Sequence, residues 1–132
     1  STMAGPKGSK YYDIFLNFNV WVETRGEDVV ISAEGLDLLR EVAEVKSIVT
    51  AARNMKFSYR KAWGLLREVE DLLGFRLVEK HRGGASGGKT ELTPEGTALV
   101  SAYKELNGEI EASMNGIAKK FFRRINEISE GK

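Results

Sequence analysis

The chain has no cysteine, a single histidine and only two prolines in 132 residues. Without cysteine there is no disulfide framework, no thiolate metal site and no cysteine nucleophile. His81 has no cysteine to share a metal with and no nucleophile paired to it by motif, so neither a metal site nor a cofactor is expected. Long apolar runs are also lacking. None approaches the roughly 20 residues of a bilayer-spanning helix. The opening STMAGPKGSK is polar where a signal peptide would be apolar. These absences lead us to expect a cytoplasmic protein that does not enter a membrane. Composition supplies the rest: 42% hydrophobic and 30% charged residues describe a folded, soluble chain of one ordinary domain.

A net charge of +1 suggests no polyanion partner until its distribution is read. From Lys46 to Thr90 ten Lys and Arg face four Asp and Glu, a balance of +6, while the remaining residues carry −5. Local patches, rather than totals, attract polyanions.

The pattern along the chain is mostly helical. Residues 1–11, rich in Gly, Ser and Lys, are expected to be mobile, with a single domain over residues 12–128. Tyr12, Ile14, Leu16, Phe18, Val20 and Val22 alternate, as in a half-buried strand, and after the TRGED turn Val29, Val30 and Ile31 can return as a second strand. Ser32 caps a helix whose apolar face is Leu36, Leu39, Val42 and Ala43. Ser47 caps a short helix with the small face Ile48, Ala51 and Ala52. Ser58 caps the next, striped by Ala62, Leu65, Leu66, Val69, Leu72 and Leu73 and stopped by Gly74. Strands near residues 76–82 and 90–92 flank a loop holding Gly83, Gly84, Gly87 and Gly88. Thr93-Pro94-Glu95 then opens a last helix in the order cap, proline, acid.

This succession predicts an α+β, mostly helical fold: a winged helix-turn-helix with an N-terminal β-hairpin and a long C-terminal helix over about residues 93–128. Such a fold places its second helix in a DNA major groove, with a basic loop beside it. On that helix Ser58, Tyr59, Arg60, Lys61, Gly64 and Arg67 are candidate DNA contacts, as is Ser47 at the start of the preceding one. Long basic side chains reach phosphates or guanine edges, and Gly64 permits close backbone approach. Lys80, His81, Arg82 and Lys89 extend the surface into the wing. Trp63 reads instead as a core residue, because its bulk is best buried. The pairs Lys119-Lys120 and Arg123-Arg124 read as solvated charge that complements a helix C-terminus.

The last helix carries Leu99, Tyr103, Leu106, Ile110, Met114, Ile117, Phe121, Ile125 and Ile128 at gaps of three and four. At 1.5 Å per residue such a stripe runs about 50 Å, longer than so small a domain covers. From Tyr103 to Ile128 it is therefore expected to pack on a second copy, making a homodimer.

Residues 83–90, GGASGGKT, also satisfy the phosphate-loop pattern GxxxxGK[ST]. That mechanism requires a helix to begin at Lys89 so that its amides cradle phosphate. Pro94 follows five residues later, after the Thr93 cap, and no later apolar strand ends in a magnesium-binding Asp. The match is read as accidental, and no enzyme is expected.

With those residues in view, the chain resembles the N-terminal DNA-binding domain of the ModE-type, molybdate-responsive transcription regulators. The resemblance covers roughly residues 12–128. It rests on Ser47-Ile48 with Ala51-Ala52, on Ser58-Tyr59-Arg60-Lys61-Ala62-Trp63, on the Arg82-Gly83-Gly84 to Gly87-Gly88 wing, and on Leu92-Thr93-Pro94-Glu95-Gly96. It implies a homodimer that binds a palindromic operator on double-stranded DNA, with Ser58–Lys61 and the wing as the reading surface and molybdate or tungstate uptake genes as targets. Family members that sense molybdate carry further oxyanion-binding domains, whereas this sequence stops at Lys132, so no effector is assigned. A protein-interaction module using the wing and long helix is the competing expectation.

Overall fold

Hydroxyl caps start the helices where the sequence places them. The computed structural model describes residues 2–26, 31–81 and 88–130, in the order β1 (Thr2–Ala4), β2 (Phe15–Asn17), α1 (Ala33–Val45), α2 (Ile48–Asn54), α3 (Tyr59–Leu73), β3 (Val78–His81), β4 (Lys89–Leu92) and α4 (Pro94–Glu130). Ser32, Ser47 and Ser58 accept hydrogen bonds from the Gly35, Thr50 and Lys61 amides at 3.0–3.1 Å. Each satisfies a donor that the first helical turn leaves without a partner. Gly74 ends α3 at φ +80, a conformation that costs glycine little. Thr93 does two things: its hydroxyl accepts from the Gly96 amide at 3.0 Å and donates to the Arg76 carbonyl at 2.6 Å. It thereby caps α4 and joins that cap to the segment entering the wing.

The described residues fall into two compact units, Val20–Tyr103 and Ser1–Asn19 with Lys104–Lys132, with α4 contributing to both. In the first, α1, α2 and α3 enclose a core of Leu36, Leu38, Leu39, Val42, Ile48, Ala51, Ala52, Ala62, Leu66 and Val69, extended by Leu77, Val78, Val100 and Tyr103. The small face of α2 is buried as expected, and Ala51, Ala52 and Ala62 are at most 3% exposed. Gly96 is required by space. A Cβ there would overlap the Leu77 carbonyl oxygen, so α4 starts hard against the chain leading into β3.

The wing is an antiparallel pair in which Val78 lies opposite Leu92, Glu79 opposite Glu91, Lys80 opposite Thr90 and His81 opposite Lys89. Its tip, residues 82–87 with Arg82 and most of the glycine loop, lies outside the described residues. The Thr90 amide donates to the Lys46 carbonyl at 3.0 Å, fastening β4 to the end of α1.

The N-terminal reading needs correction. Instead of a strand through residues 12–22, only Phe15–Asn17 is extended and paired, and its partner is Thr2–Ala4. Residues expected to be mobile thus supply half of this hairpin. The expected return strand is reduced, among the described residues, to the bridge Val22–Ile31; Val29 and Val30 lie outside them. Alternation marks the two faces of a pleat but does not name the neighbouring strand. In this unit Phe122 and Ala118 of α4 are buried, the Tyr11 ring lies 6.2 Å from that of Phe122, and the Tyr11 hydroxyl donates to the Ile125 carbonyl at 3.3 Å.

Candidate nucleic-acid interface

The burial of Ala62, Leu66 and Val69 decides what α3 shows to solvent. Arg60, Gly64 and Arg67, spaced four and three residues apart, share the opposite side, and all three are exposed. A Cβ at Gly64 would meet nothing within 4 Å, so the backbone there is open to close approach. Arg60 makes no ion pair among the described residues. Tyr59 is 47% exposed at the first turn. Asp71 is exposed further along the helix, so the positive part of this face ends at Arg67. The N-terminal residues of a recognition helix are the part that reaches base edges, and Tyr59 and Arg60 occupy that part of α3.

Lys61 departs from the expectation. Its ammonium sits 3.6 Å from Glu34 at the start of α1 and 4.2 Å from the Phe57 ring centroid. One residue along a helix turns the side chain by about 100°, carrying Lys61 off the face of Arg60 and onto the α1 flank. Ser47 and Ser58 have their hydroxyl oxygens committed to capping, so their first role is to aim the two helices.

In the wing, strand parity sorts the basic residues. Lys80 shares the inward face with Val78 and Thr90, whereas His81 and Lys89 share the other with Glu79 and Glu91. Glu91 stands between them, with Lys89 at 3.1 Å and His81 at 3.5 Å. The hydrogen bond from Lys89 holds the exposed Glu91 carboxyl below the usual range. Lys80 reaches α3, donating to the Tyr59 hydroxyl at 3.1 Å with its ammonium 4.8 Å from the Trp63 ring centroid. That hydrogen bond lowers the Tyr59 phenol from its ordinary value. Trp63 packs against the core as expected, but only in part: its exposed side also carries the Arg67 guanidinium at 5.6 Å.

Ser47, Tyr59, Lys80, His81 and Lys89 line one open cleft of about 740 Å³ between the helix starts and the outer end of the described wing strands. Two surface residues escaped the sequence reading. Val49 lines the same cleft at 51% exposure, and Arg53 is exposed one turn later on α2. Their signal was available, since a helix that buries Ile48, Ala51 and Ala52 turns positions 49 and 53 outward. Lys89 and Thr90, the last residues of the phosphate-loop pattern, lie in a strand rather than at a helix start. Among the described residues there is no cluster of three metal-ligating side chains, and no helix is long and apolar enough to cross a membrane.

The positions expected on a dimer seam divide. Tyr103 belongs to the core of the helix-turn-helix unit, where its hydroxyl donates to the Asp37 carboxylate at 3.1 Å. Only 7% of it is exposed, too little to serve a second chain. Leu106, Ile117, Phe121 and Ile128 are exposed, and Ile110, Met114 and Ile125 are half-buried. The chain itself buries the adjacent Ala118 and Phe122, leaving the predicted stripe largely uncovered.

A tri-helical core with its second and third helices in a helix-turn-helix, followed by a two-stranded wing, defines a winged helix-turn-helix domain, a fold that can set its third helix against DNA. Residues 33–97 match the model of the bacterial regulatory helix-turn-helix proteins of the lysR family. It is 34% identical over 96 residues to the molybdenum-pterin-binding protein MopB of Rhodobacter capsulatus, covering 73% of this chain and 34% of that protein. It is 30% identical over 101 residues to the molybdenum transport protein ModE of Azotobacter vinelandii, covering 76% and 36%. The DNA-binding transcriptional dual regulator ModE of Escherichia coli (strain K12) is 35% identical over 68 residues, covering 52% and 26%. The chain thus spans about a third or less of the length of these relatives. Among solved structures, an OxyR C206S mutant of Corynebacterium glutamicum matches with a TM-score of 0.53 at 24% identity, over 68% of this chain and 27% of that one. At such identity the likeness concerns the fold.

Proposed function

We propose that this chain binds a palindromic operator as a homodimer and regulates molybdate- or tungstate-related genes in the cytoplasm, without enzymatic activity. The observation that carries the reading is the exposed α3 face of Arg60, Gly64 and Arg67, whose cations make no ion pair among the described residues, with Tyr59 at its edge. Arg60 and Arg67 read bases or hold phosphates, Gly64 lets the helix backbone come close, and Val49 and Arg53 of α2 extend the footprint. His81, Lys89 and Arg82 supply the wing's contacts to the backbone.

The homodimer is supported by the exposed Leu106, Ile117, Phe121 and Ile128, since uncovered apolar stripes of this kind mark interfaces. A twofold axis sets two recognition helices roughly 34 Å apart, one turn of DNA. The molybdate assignment follows from the names of the relatives. The experiment is fluorescence anisotropy on duplexes drawn from molybdate-uptake promoters: nanomolar binding that survives competitor DNA supports the assignment, and binding no tighter than to unrelated duplex removes it.

A further inference from the structure

Parity in the wing separates Lys80 from the other basic residues of this surface. It shares a face of the β-ladder with Val78, 1% exposed, and Thr90, 4% exposed, and therefore projects toward the helices. His81 and Lys89 project the other way. At the end of its side chain the Lys80 ammonium donates to the Tyr59 hydroxyl at 3.1 Å, lies 4.8 Å from the Trp63 ring centroid and 5.8 Å from that of Tyr59. Those two aromatic residues are one helical turn apart on α3, and their rings meet edge to face at 6.4 Å. A cation within about 6 Å of a ring is attracted by its quadrupole, and here two rings and a phenol oxygen converge on one ammonium.

We propose that Lys80 is a positioning residue for DNA binding: it ties the first wing strand to the first turn of the recognition helix and fixes the angle between them, instead of neutralising a phosphate. The consequence is geometric. The Glu70 carboxylate accepts from the Leu77 and Val78 amides at 2.7 and 3.4 Å and holds the start of β3. The Thr90–Lys46 hydrogen bond holds the returning strand, so Lys80 is left to set the direction of the far end of β3, where His81 stands. Tyr59 is the other half of the tie, so its hydroxyl acts through Lys80 and not on DNA. Arg67, above the same indole at 5.6 Å, is left to reach DNA. The inference rests on the DNA-binding reading but is separable from it.

The two roles differ in their salt dependence. A lysine that neutralises a phosphate contributes about 0.9 to the slope of log affinity against log salt, and its loss makes the slope shallower by that amount. The measurement is operator affinity by anisotropy across a salt series for the unsubstituted chain, Lys80→Gln, Tyr59→Phe, the double variant, and Arg60→Gln as a comparator. Lys80→Gln is expected to weaken binding about tenfold, the scale of one supporting hydrogen bond to a charged group, with the slope unchanged. Tyr59→Phe should show part of the same loss, and the double variant should bind no worse than Lys80→Gln alone. In the DNA-free protein both single variants should shift the Trp63 indole N–H resonance. A slope shallower by about one unit in Lys80→Gln, with Tyr59→Phe neutral, would make Lys80 a phosphate ligand and overturn the proposal. So would unchanged affinity or strictly additive losses. If Lys80→Gln does not fold, Tyr59→Phe decides alone: full operator affinity rejects the tie, and a loss at constant slope supports it. If the unsubstituted chain binds no DNA, the functional reading fails first and takes this proposal with it.

Discussion

At the scale of single residues, neighbours in sequence have different work. Arg60 and Lys61 look alike in the chain, yet only Arg60 points away from the protein; Lys61 is held between Glu34 and Phe57. Arg60→Ala is therefore expected to reduce operator affinity by about 1–3 kcal/mol, the range of a lost base contact. Lys61→Ala should cost clearly less, because its ammonium is turned toward Glu34 and Phe57 and away from the face of Arg60. Anisotropy at fixed salt separates them, and equal losses would contradict the placement of Lys61. The pair also shows what the sequence could not reveal. The wheel of α3 is legible from Ala62, Leu66 and Val69, but Glu34 lies on another helix and its reach is a tertiary fact. Gly96 is a second such residue. Nothing in TPEG announces that the Leu77 carbonyl stands where a side chain would be. Gly96→Ala should destabilise the fold by roughly 1–3 kcal/mol, as overpacking typically does, read from the urea midpoint; an unchanged midpoint would show that α4 can move aside.

Elements were legible wherever their signals are local. Ser32, Ser47, Ser58 and Thr93 cap as read, and Gly74 stops α3, because each acts within a turn of itself. The N-terminal strand was misread for the complementary reason. A strand needs a partner, and the alternation of residues 12–22 gave no notice that residues 2–4 supply it. On α4 the sequence selected Phe121 as part of the stripe and passed over Phe122, the residue the chain buries. The helix carries apolar residues on two adjacent faces, and periodicity alone does not rank them. Thr93 invites a test at this scale, since it both caps α4 and donates to Arg76. Thr93→Ala should cost about 0.5–2 kcal/mol for the cap, with Thr93→Ser recovering most of it. Equal stability of the Ala and Ser variants in thermal unfolding would show that neither bond matters.

For the whole molecule the account joins a basic reading face to a second copy. The +6 balance over residues 46–90 should make DNA binding fall steeply with salt, because neutralised phosphates release counterions. A flat response would favour the protein-interaction alternative. Phe121, 45% exposed, tests the dimer. Phe121→Glu should shift the sedimenting species from dimer to monomer and weaken operator binding sharply, while circular dichroism stays unchanged. A parent chain already monomeric at micromolar concentration would end the dimer reading. The central claim is that α3 reads a DNA sequence, and selection from a random duplex pool tests it most directly. The account predicts an enriched consensus with two inverted half-sites about one helical turn apart, whose bases become degenerate when the selection is repeated with Arg60→Ala. A pool that shows no enrichment, or an identical consensus with Arg60→Ala and Arg67→Ala, would contradict it.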